Sequence, residues 1–329
     1  MATSASTPTL TTADSLDLNG TKPRSLWGDA LRRLMRNRAA VAGAVVILLY
    51  ILTALFAPLL APRNPVEQTA RNSLRPPVWV TDNPARQPNP ENLLGTDNNG
   101  RDILSRLLYA TRVSLIVGVV PQFIIVAVGV AIGLFAGFRG GWVDNVLMRF
   151  TEIIASFPDL LFIITLTVAF RDTWFGRAFQ GLLLIFTALA IISWTGLARL
   201  VRGQVLSLKE KEFVEAARAL GIPTWKILLR HILPNTLGPI IVSISFSIPA
   251  LILSEAILTF LGVGMRPSVD PNNPFPTSLG QMMTDGFNNL SSGPWMLLFP
   301  VLSISLLVLS FTFLGDGLRD ALDPRDSGK

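Results

Sequence analysis

The chain has 329 residues, 50% hydrophobic and only 15% charged, with a mean hydropathy of +0.48; ordinary soluble domains carry about 25% charged residues, so this is the balance of a polytopic membrane protein. The net charge of +6 and pI near 10.3 come from basic residues that mostly flank apolar segments, with little aromatic interleaving, which fits membrane orientation and argues against nucleic acid as a partner. No Cys and a single His, His231, exclude disulfides, thiolate or multi-histidine metal sites and a Cys nucleophile within the chain.

Residues 1–25 are rich in Ser, Thr, Ala and Pro without apolar periodicity, and predict a disordered tail. Residues 26–60 form the next unit: an amphipathic basic stretch from Trp27 to Arg38 runs into the apolar segment Ala39 to Leu60, about 22 residues and long enough to span hydrocarbon. A cleavable signal core of about 7–15 residues ending in a small-residue site does not match it. Residues 61–112 follow as an external segment, Pro-rich from Pro58 to Pro90, which predicts an extended cap or strap. At its end Ile103, Leu104, Leu107 and Leu108 share one helical stripe opposite Arg101 and Ser105. That pattern predicts an amphipathic helix at the membrane interface or on the protein surface.

Further apolar spans at Val113 to Phe138, Val143 to Phe170, Gly181 to Val201, Asn235 to Gly262 and Trp295 to Gly315 bring the total to six at about 20 residues each. The last five make a core at 113–318, with a tail at 319–329. An even number puts both termini on one side. Arg32, Arg33, Arg36 and Arg38, together with Arg199, Arg202, Lys209, Lys211, Arg218, Lys226 and Arg230, assign that side to the cytoplasm. The arginines of 63–112 run against this, but that loop is long and interspersed with Glu67, Asp82, Glu91, Asp97 and Asp102, and long loops translocate with weak regard to charge. The expected fold class is therefore an all-α polytopic membrane protein with six transmembrane helices and cytoplasmic termini.

Between the fourth and fifth spans lies a polar insert, about 203–235. Lys211 to Leu220 is a run of helix formers with Phe213, Ala216, Ala217 and Leu220 on one compact face, bordered by Glu212, Glu215 and Arg218. Gly221 can end that helix, Pro223 opens a second around Trp225, and Pro234 is expected to stop it. A helix-turn-helix knob in an otherwise thin connection suits a soluble docking partner. Within the spans, Gly129, Gly133 and Gly137 recur every fourth residue and bare one helix face for close packing. Glu255 is a carboxylate in an apolar span. It lines a pathway or fixes helix packing through an internal hydrogen bond, and Pro121, Pro158 and Pro249 are gating bends or static kinks. Glu152 has a local partner in Arg149. No phosphate-binding Gly-x-x-x-x-Gly-Lys-Ser/Thr loop, Gly-x-Ser-x-Gly elbow or His-Glu-x-x-His pair occurs, so no catalytic residue is assigned.

The order Glu215-Ala216-Ala217, Gly221, Leu233-Pro234 resembles the coupling motif of permease subunits in ATP-binding-cassette importers. Leu94 to Arg106, Asp144 to Arg149, Ser254 to Gly262 and Gly315 to Pro324 resemble, in register, segments of the C-type permeases of dipeptide, oligopeptide and nickel importers, so that the likeness covers about residues 26 to 325. The resemblance implies the type I importer permease architecture in a bacterial inner membrane. It implies docking of Phe213, Glu215, Ala216, Ala217, Gly221, Trp225, Leu233 and Pro234 into a cleft of an ATPase subunit, and Glu255 and Pro249 become candidates for the pathway. The implied partners are a second homologous permease, two cytoplasmic ATPase subunits that bind ATP and Mg, an external substrate-binding protein and a peptide, with no cofactor in this chain. Nickel or another small solute is the alternative cargo. A proton-coupled secondary transporter working through Glu255 is the rival from another class, though no clear inverted repeat supports it. One departure is the long segment 265–280, with Leu279 where the family has Trp, which implies a different contact with the binding protein.

Overall fold

The computed structural model describes residues 26–81 and 87–322; the expected tail at 1–25 and residues 323–329 lie outside the described residues. Among the described residues regular structure is helical, with one isolated antiparallel bridge from Thr96 to Asp102.

The basic stretch folds as α1, Leu26–Arg36, and Asn37 separates it from α2, Arg38–Leu55. The Asn37 side chain accepts from the backbone N–H of Ala39 and Ala40 at 3.1 and 3.2 Å, satisfying two donors that a helix start leaves orphaned. After Phe56 a short α3, Ala57–Leu60, with Pro58 in its first turn, completes the apolar segment. The Pro-rich segment then runs irregularly, apart from one 3-10 turn at Ala70–Asn72, and is stitched by backbone bonds such as Leu74 N to Asp97 O and Thr96 N to Arg75 O, both 2.9 Å.

Helix α4, Ile103–Arg139, is 37 residues long and absorbs the stretch expected to form a separate interfacial helix. The correction has a physical cause: Ser105 and Arg106 are buried and the polar side of that turn faces inward, so it is an inner support and not a membrane-surface face. The third expected span is also not continuous. It divides into α5, Gly141–Ala155, and α6, Asp159–Phe170, bent by 79° at the break. Pro158 supplies no N–H and disfavours helical geometry at Phe157, which ends α5 where an apolar count alone sees one span. A short α7, Trp174–Arg177, precedes α8, Leu182–Leu208.

The insert contains α9, Glu212–Ala219, and α10, Thr224–Ile227, followed by α11, Leu233–Phe260. Pro234 does not stop the chain. A π-helical turn, Leu228–Ile232, joins α10 to α11, so that Thr224–Phe260 runs as one 37-residue helical span. Widening the turn makes room for the Pro234 ring, which would collide with the carbonyl of Arg230 in a regular α-helix. After α11 comes α12, Leu279–Asn288, and then α13, Trp295–Leu322, which continues past the expected span end at Gly315 and the expected core boundary at 318. Among the described residues five helices are long and apolar enough to cross a membrane, and the bent α5–α6 pair makes a sixth crossing if taken as one.

In the span containing α8, 67% of the apolar window is buried within the chain, against 39% or less in the others, which makes α8 the central post. It lies along the glycine face of α4. A Cβ built at Gly129 would meet Leu197 Cβ at 3.0 Å, one at Gly133 would meet Ala198 O and Val201 Cβ at 2.7 Å, and one at Gly137 would meet Val205 Cβ at 2.8 Å. A second apolar cluster joins α2, α11, α12 and α13 through Ile47, Ile252, Met282, Ile304 and Leu307. Gly133→Leu is expected to force α4 off α8 and cost about 1–3 kcal/mol, read as a lower unfolding midpoint in detergent, whereas Gly203→Ala, with open space at its Cβ position inside α8, should leave the midpoint unchanged or raise it.

Candidate functional site

The insert begins later than 203, because α8 carries on to Leu208 and only then turns. Lys209 Nζ donates to the Gly137 carbonyl at 3.3 Å, fixing this turn to the end of α4. Within α9 the buried residues are Val214 and Ala217. Ala216 and Phe213 therefore do not share a packed face with Ala217: they point outward with Glu215 and Leu220. One turn of helix puts residues three apart on one side, so the Val214–Ala217 pair is the buried stripe.

Gly221 has φ +72°, and its N–H bonds to the Arg218 carbonyl at 2.9 Å while Ile222 N–H reaches the Ala217 carbonyl at 3.1 Å. Those two bonds are the paired 5→2 and 6→1 bonds that close a helix on a left-handed residue, a conformation costly for any side chain with a Cβ. Pro223 then takes the N-cap position of α10. From the side, the Arg218 guanidinium stands over the Phe138 ring at 4.9 Å, tying α9 to α4, and the Phe213 ring meets His231 at 6.5 Å between centroids.

The outer surface of this rigid knob is apolar. Leu220 is 80% exposed, Trp225 60% and Phe213 42%, three large apolar side chains left in water within one small feature. Beside them a cleft of about 360 Å³ is lined by Leu220, Gly221, Ile222, Pro223, Lys226, Arg230 and His231. Glu215 is exposed and makes no side-chain hydrogen bond or ion pair among the described residues. Leu233 and Pro234 belong to the first turn of α11, so they sit on the connecting rod and not on the knob.

The two pathway candidates occupy a different place. Glu255 and Pro249 are both buried inside the chain. One Glu255 oxygen accepts from Thr259 Oγ1 at 2.7 Å, and the other has no partner at hydrogen-bond geometry among the described residues. A Cβ on Gly280 of α12 would stand 2.7 Å from Ala256 Cα, so α12 closes directly over this part of α11. Both are enclosed by this chain's own helices. Of the two readings of Glu255, its burial against α12 supports helix packing.

At the opposite end of the bundle the sequence reading missed a buried ion cluster. Asp97 accepts from Arg101 Nε at 2.6 Å and also from Arg106; Asp285 of α12 accepts from Arg106 at 2.9 Å and from Arg101 at 3.4 Å. Gln281 and Thr277 complete it, with Gln281 Nε2 to Asp285 at 2.9 Å and Arg106 to Thr277 Oγ1 at 3.3 Å. Burial, followed by the neighbouring Arg106 charge, pushes the Arg101 guanidinium pKa below its usual value, and Asp97 opposes that shift. Next to the cluster Asp102 caps α4: its carboxylate accepts from the Ser105 N–H and hydroxyl, both 2.7 Å, and from Asn92 at 2.9 Å. The spacing of Asp97 and Arg101, four apart, was a visible signal; their partner in α12 was not.

The molecule is thus a helical membrane bundle with a structured knob at one end and a buried ion latch at the other. Residues 129–327 match the family described as binding-protein-dependent transport system inner membrane component, and residues 25–77 match the N-terminal TM domain of oligopeptide transport permease C. The chain is 42% identical over 316 residues to the oligopeptide transport system permease protein OppC of Haemophilus influenzae, covering 95% of this chain and 93% of that protein. It is 39% identical over 298 residues to the dipeptide transport system permease protein DppC of Bacillus subtilis, covering 90% and 85%. Its fold matches a chain of the inward-facing MetNI methionine ABC transporter with a TM-score of 0.51 at 18% identity, over 66% of this chain and 96% of that one. The chain belongs to the binding-protein-dependent transport system inner membrane components. It is a multi-pass inner-membrane permease subunit of the ABC importer class.

Replacing Asp97 by Ala leaves the buried Arg101 and Arg106 with Asp285 alone between them and is expected to cost about 3–5 kcal/mol, measured as a lower unfolding midpoint. The double variant Asp97→Leu, Arg106→Met should recover part of that loss, because it removes the stranded charge at Arg106.

Proposed function

We propose that this chain is the permease subunit of an ATP-driven importer of dipeptides or oligopeptides, and that α9 and α10 dock on an ATPase subunit in the cytoplasm. The observation that carries the docking assignment is the trio Phe213, Leu220 and Trp225, exposed on a knob whose backbone is pinned from beneath. Apolar side chains concentrated and exposed in this way mark an interaction surface. The basic clustering around the insert supports its cytoplasmic side. ATP and Mg belong to the ATPase subunits in this reading, and a second homologous permease completes the pathway to which an external binding protein delivers the solute. Peptide as cargo is supported by the names of the OppC and DppC relatives.

Force transmission follows from the continuous helix. Trp225 and the buried length of α11 lie on the same 37-residue helical span, so a displacement of the knob reaches the transmembrane bundle without a flexible joint. Glu215, with no side-chain partner among the described residues, is free to take a cation on the ATPase surface, and Gly221 keeps the two short helices at their fixed angle.

Reconstitution with the partner subunits tests this. Gly221→Val introduces a Cβ at a left-handed position, a strain of about 1–2 kcal/mol, and Glu215→Lys reverses the free charge; each is expected to lower ATP-driven peptide uptake about tenfold or more while the chain still inserts. Retention of coupled uptake and ATPase co-purification in both variants would remove the docking assignment. Uptake by the purified single chain, driven by a proton gradient without ATPase, would overturn the ATP-driven reading.

A further inference from the structure

Buried polar atoms are nearly always paired, so those that are not call for a physical account. Among the described residues three buried side-chain oxygens have no hydrogen-bond partner: Ser114 Oγ, Thr167 Oγ1 and Glu255 Oε2. Two of them meet at one level of the bundle. A Cβ on Gly118 of α4 would touch Ile248 and Ile252 of α11, both at 3.0 Å, and one turn along, Ser247 Oγ donates to Gln122 Oε1 at 2.8 Å. The two helices run antiparallel in that register, so one turn back along α4 and one turn on along α11 bring Ser114 level with Glu255. Ile248, Ile252, Glu255 and Thr259 share one stripe of α11, which puts the carboxyl on the side that meets α4. Ser278, the N-cap of α12, lies beside the same carboxyl. Glu255, Ser114 and Ser278 are completely buried.

The charge of that carboxyl decides what the site is. Glu255 is the only ionisable residue of α11. On the elements packed around it, Arg106 of α4 is engaged by Asp97 and by Asp285 of α12, Arg112 stands over the Phe275 ring at 5.9 Å, and Arg139 ends α4 at the insert. Arg199 and Arg202 of α8, Arg38 of α2, Asp159 of α6 and Asp316, Arg319 and Asp320 of α13 complete the charged set, and none makes an ion pair with Glu255. An ionised carboxylate buried without a cation carries a desolvation cost that hydroxyl donors alone do not offset. A carboxylic acid escapes that cost and gains a donor. Ser114 is placed to accept from it: Ser245, Ser254 and Ser310 spend their hydroxyls on the carbonyl four residues back, and Ser114 does not.

We propose that Glu255 is a proton-binding site: it is carried as the neutral acid, with its O–H shared with Ser114 across the α4–α11 contact while Thr259 donates to the other oxygen. The proton is held and not relayed, since α11 has no second titratable side chain to receive it. Neutrality suits a helix that has to move. A hydrogen bond between uncharged groups can be exchanged as α11 slides, whereas parting a buried ion pair strands two charges.

Infrared spectroscopy of the full chain in lipid vesicles at neutral pH reads the protonation state directly, through the carbonyl stretch of a carboxylic acid. Wild type is compared with Glu255→Gln and Ser114→Ala. The acid band is expected in wild type and lost in Glu255→Gln. In Ser114→Ala it is expected to move to higher frequency, because an acid carbonyl stiffens when its O–H loses an acceptor. Packing by an ionised Glu255 would produce neither change. Loss of carboxylate bands in Glu255→Gln, with no acid band lost, overturns the proposal, and dependence of those bands on sodium would assign a metal cation in place of the proton. An acid band that Ser114→Ala leaves unmoved also overturns it, whether or not Glu255→Gln inserts. Neither readout involves a partner subunit or a transported solute, so the result is independent of the importer reading.

Discussion

Hydrocarbon offers helices little reason to associate, since a lipid tail is as apolar as a leucine, and the approach of α8 to α4 therefore depends on contact alone. Gly129, Gly133 and Gly137 provide it by leaving nothing between the two backbones except the side chains of α8. Every later element takes its position from that seam. With α8 held as a buried post, α5 is fixed to it by the Asp144 to Arg202 pair, and α6 packs along it beyond the 79° break. At the insert end the same seam sets the turn, because Lys209 bonds to Gly137 and Arg218 covers Phe138 one residue further on.

The knob is consequently an extension of the seam and not an independent loop. Val214 and Ala217 share the cluster that contains Leu197, Ala198 and Val201, so the inner face of α9 is continuous with the packing of α8. That leaves outward side chains such as Glu215 and Leu220 outside this packing, which is the condition for a surface that can exchange a partner for water. The π-helical turn carries the other half of the design. A regular α-helix would have to break at Pro234, and a break there would place a joint between knob and membrane; the widened turn keeps Trp225 and α11 on one rod.

Most of the spans, the knob and the glycine seam were legible in the sequence because each is a local pattern: an apolar run, a helix former followed by Gly-x-Pro, a four-residue repeat. What escaped is long-range or depends on exchange of one local rule for another. Pro234 reads as a stop by its own chemistry, and only the preceding turn, itself irregular, cancels it. The Pro158 break was legible as a bend, but not its size. Ten residues of α12 are too short for any span criterion, and its place between α11 and α13 is a tertiary fact. Arg101, Arg106 and Ser105 looked like the wet side of a surface helix, because a polar stripe carries no mark that says whether water or a buried carboxylate satisfies it. Asp285, about 180 residues further on, is what turns that stripe inward. Glu255 shows the same ambiguity inside the membrane: a carboxylate among apolar residues signals a special environment without saying whether that is a pathway or a packed interface.

The two ends of the molecule constrain α11 in different ways. At the insert end it continues into a knob with an exposed apolar surface; at the other end α12 lies directly against Ala256 and Thr259, and α12 is in turn held to the start of α4 by Asp285. A shift delivered along α11 must then either carry α12 with it, parting Asp285 from Arg101 and Arg106, or be taken up as sliding between α11 and its neighbours. Parting buried charges is steeply unfavourable, since each left alone keeps its desolvation cost and loses its compensating partner. Sliding over small side chains is far cheaper, and Gly280 facing Ala256 supplies such a contact. The outer strap, stitched to Asp97 through Leu74, is thereby held with α4 and α12 as one body, and motion of α11 relative to that body is the displacement this arrangement permits.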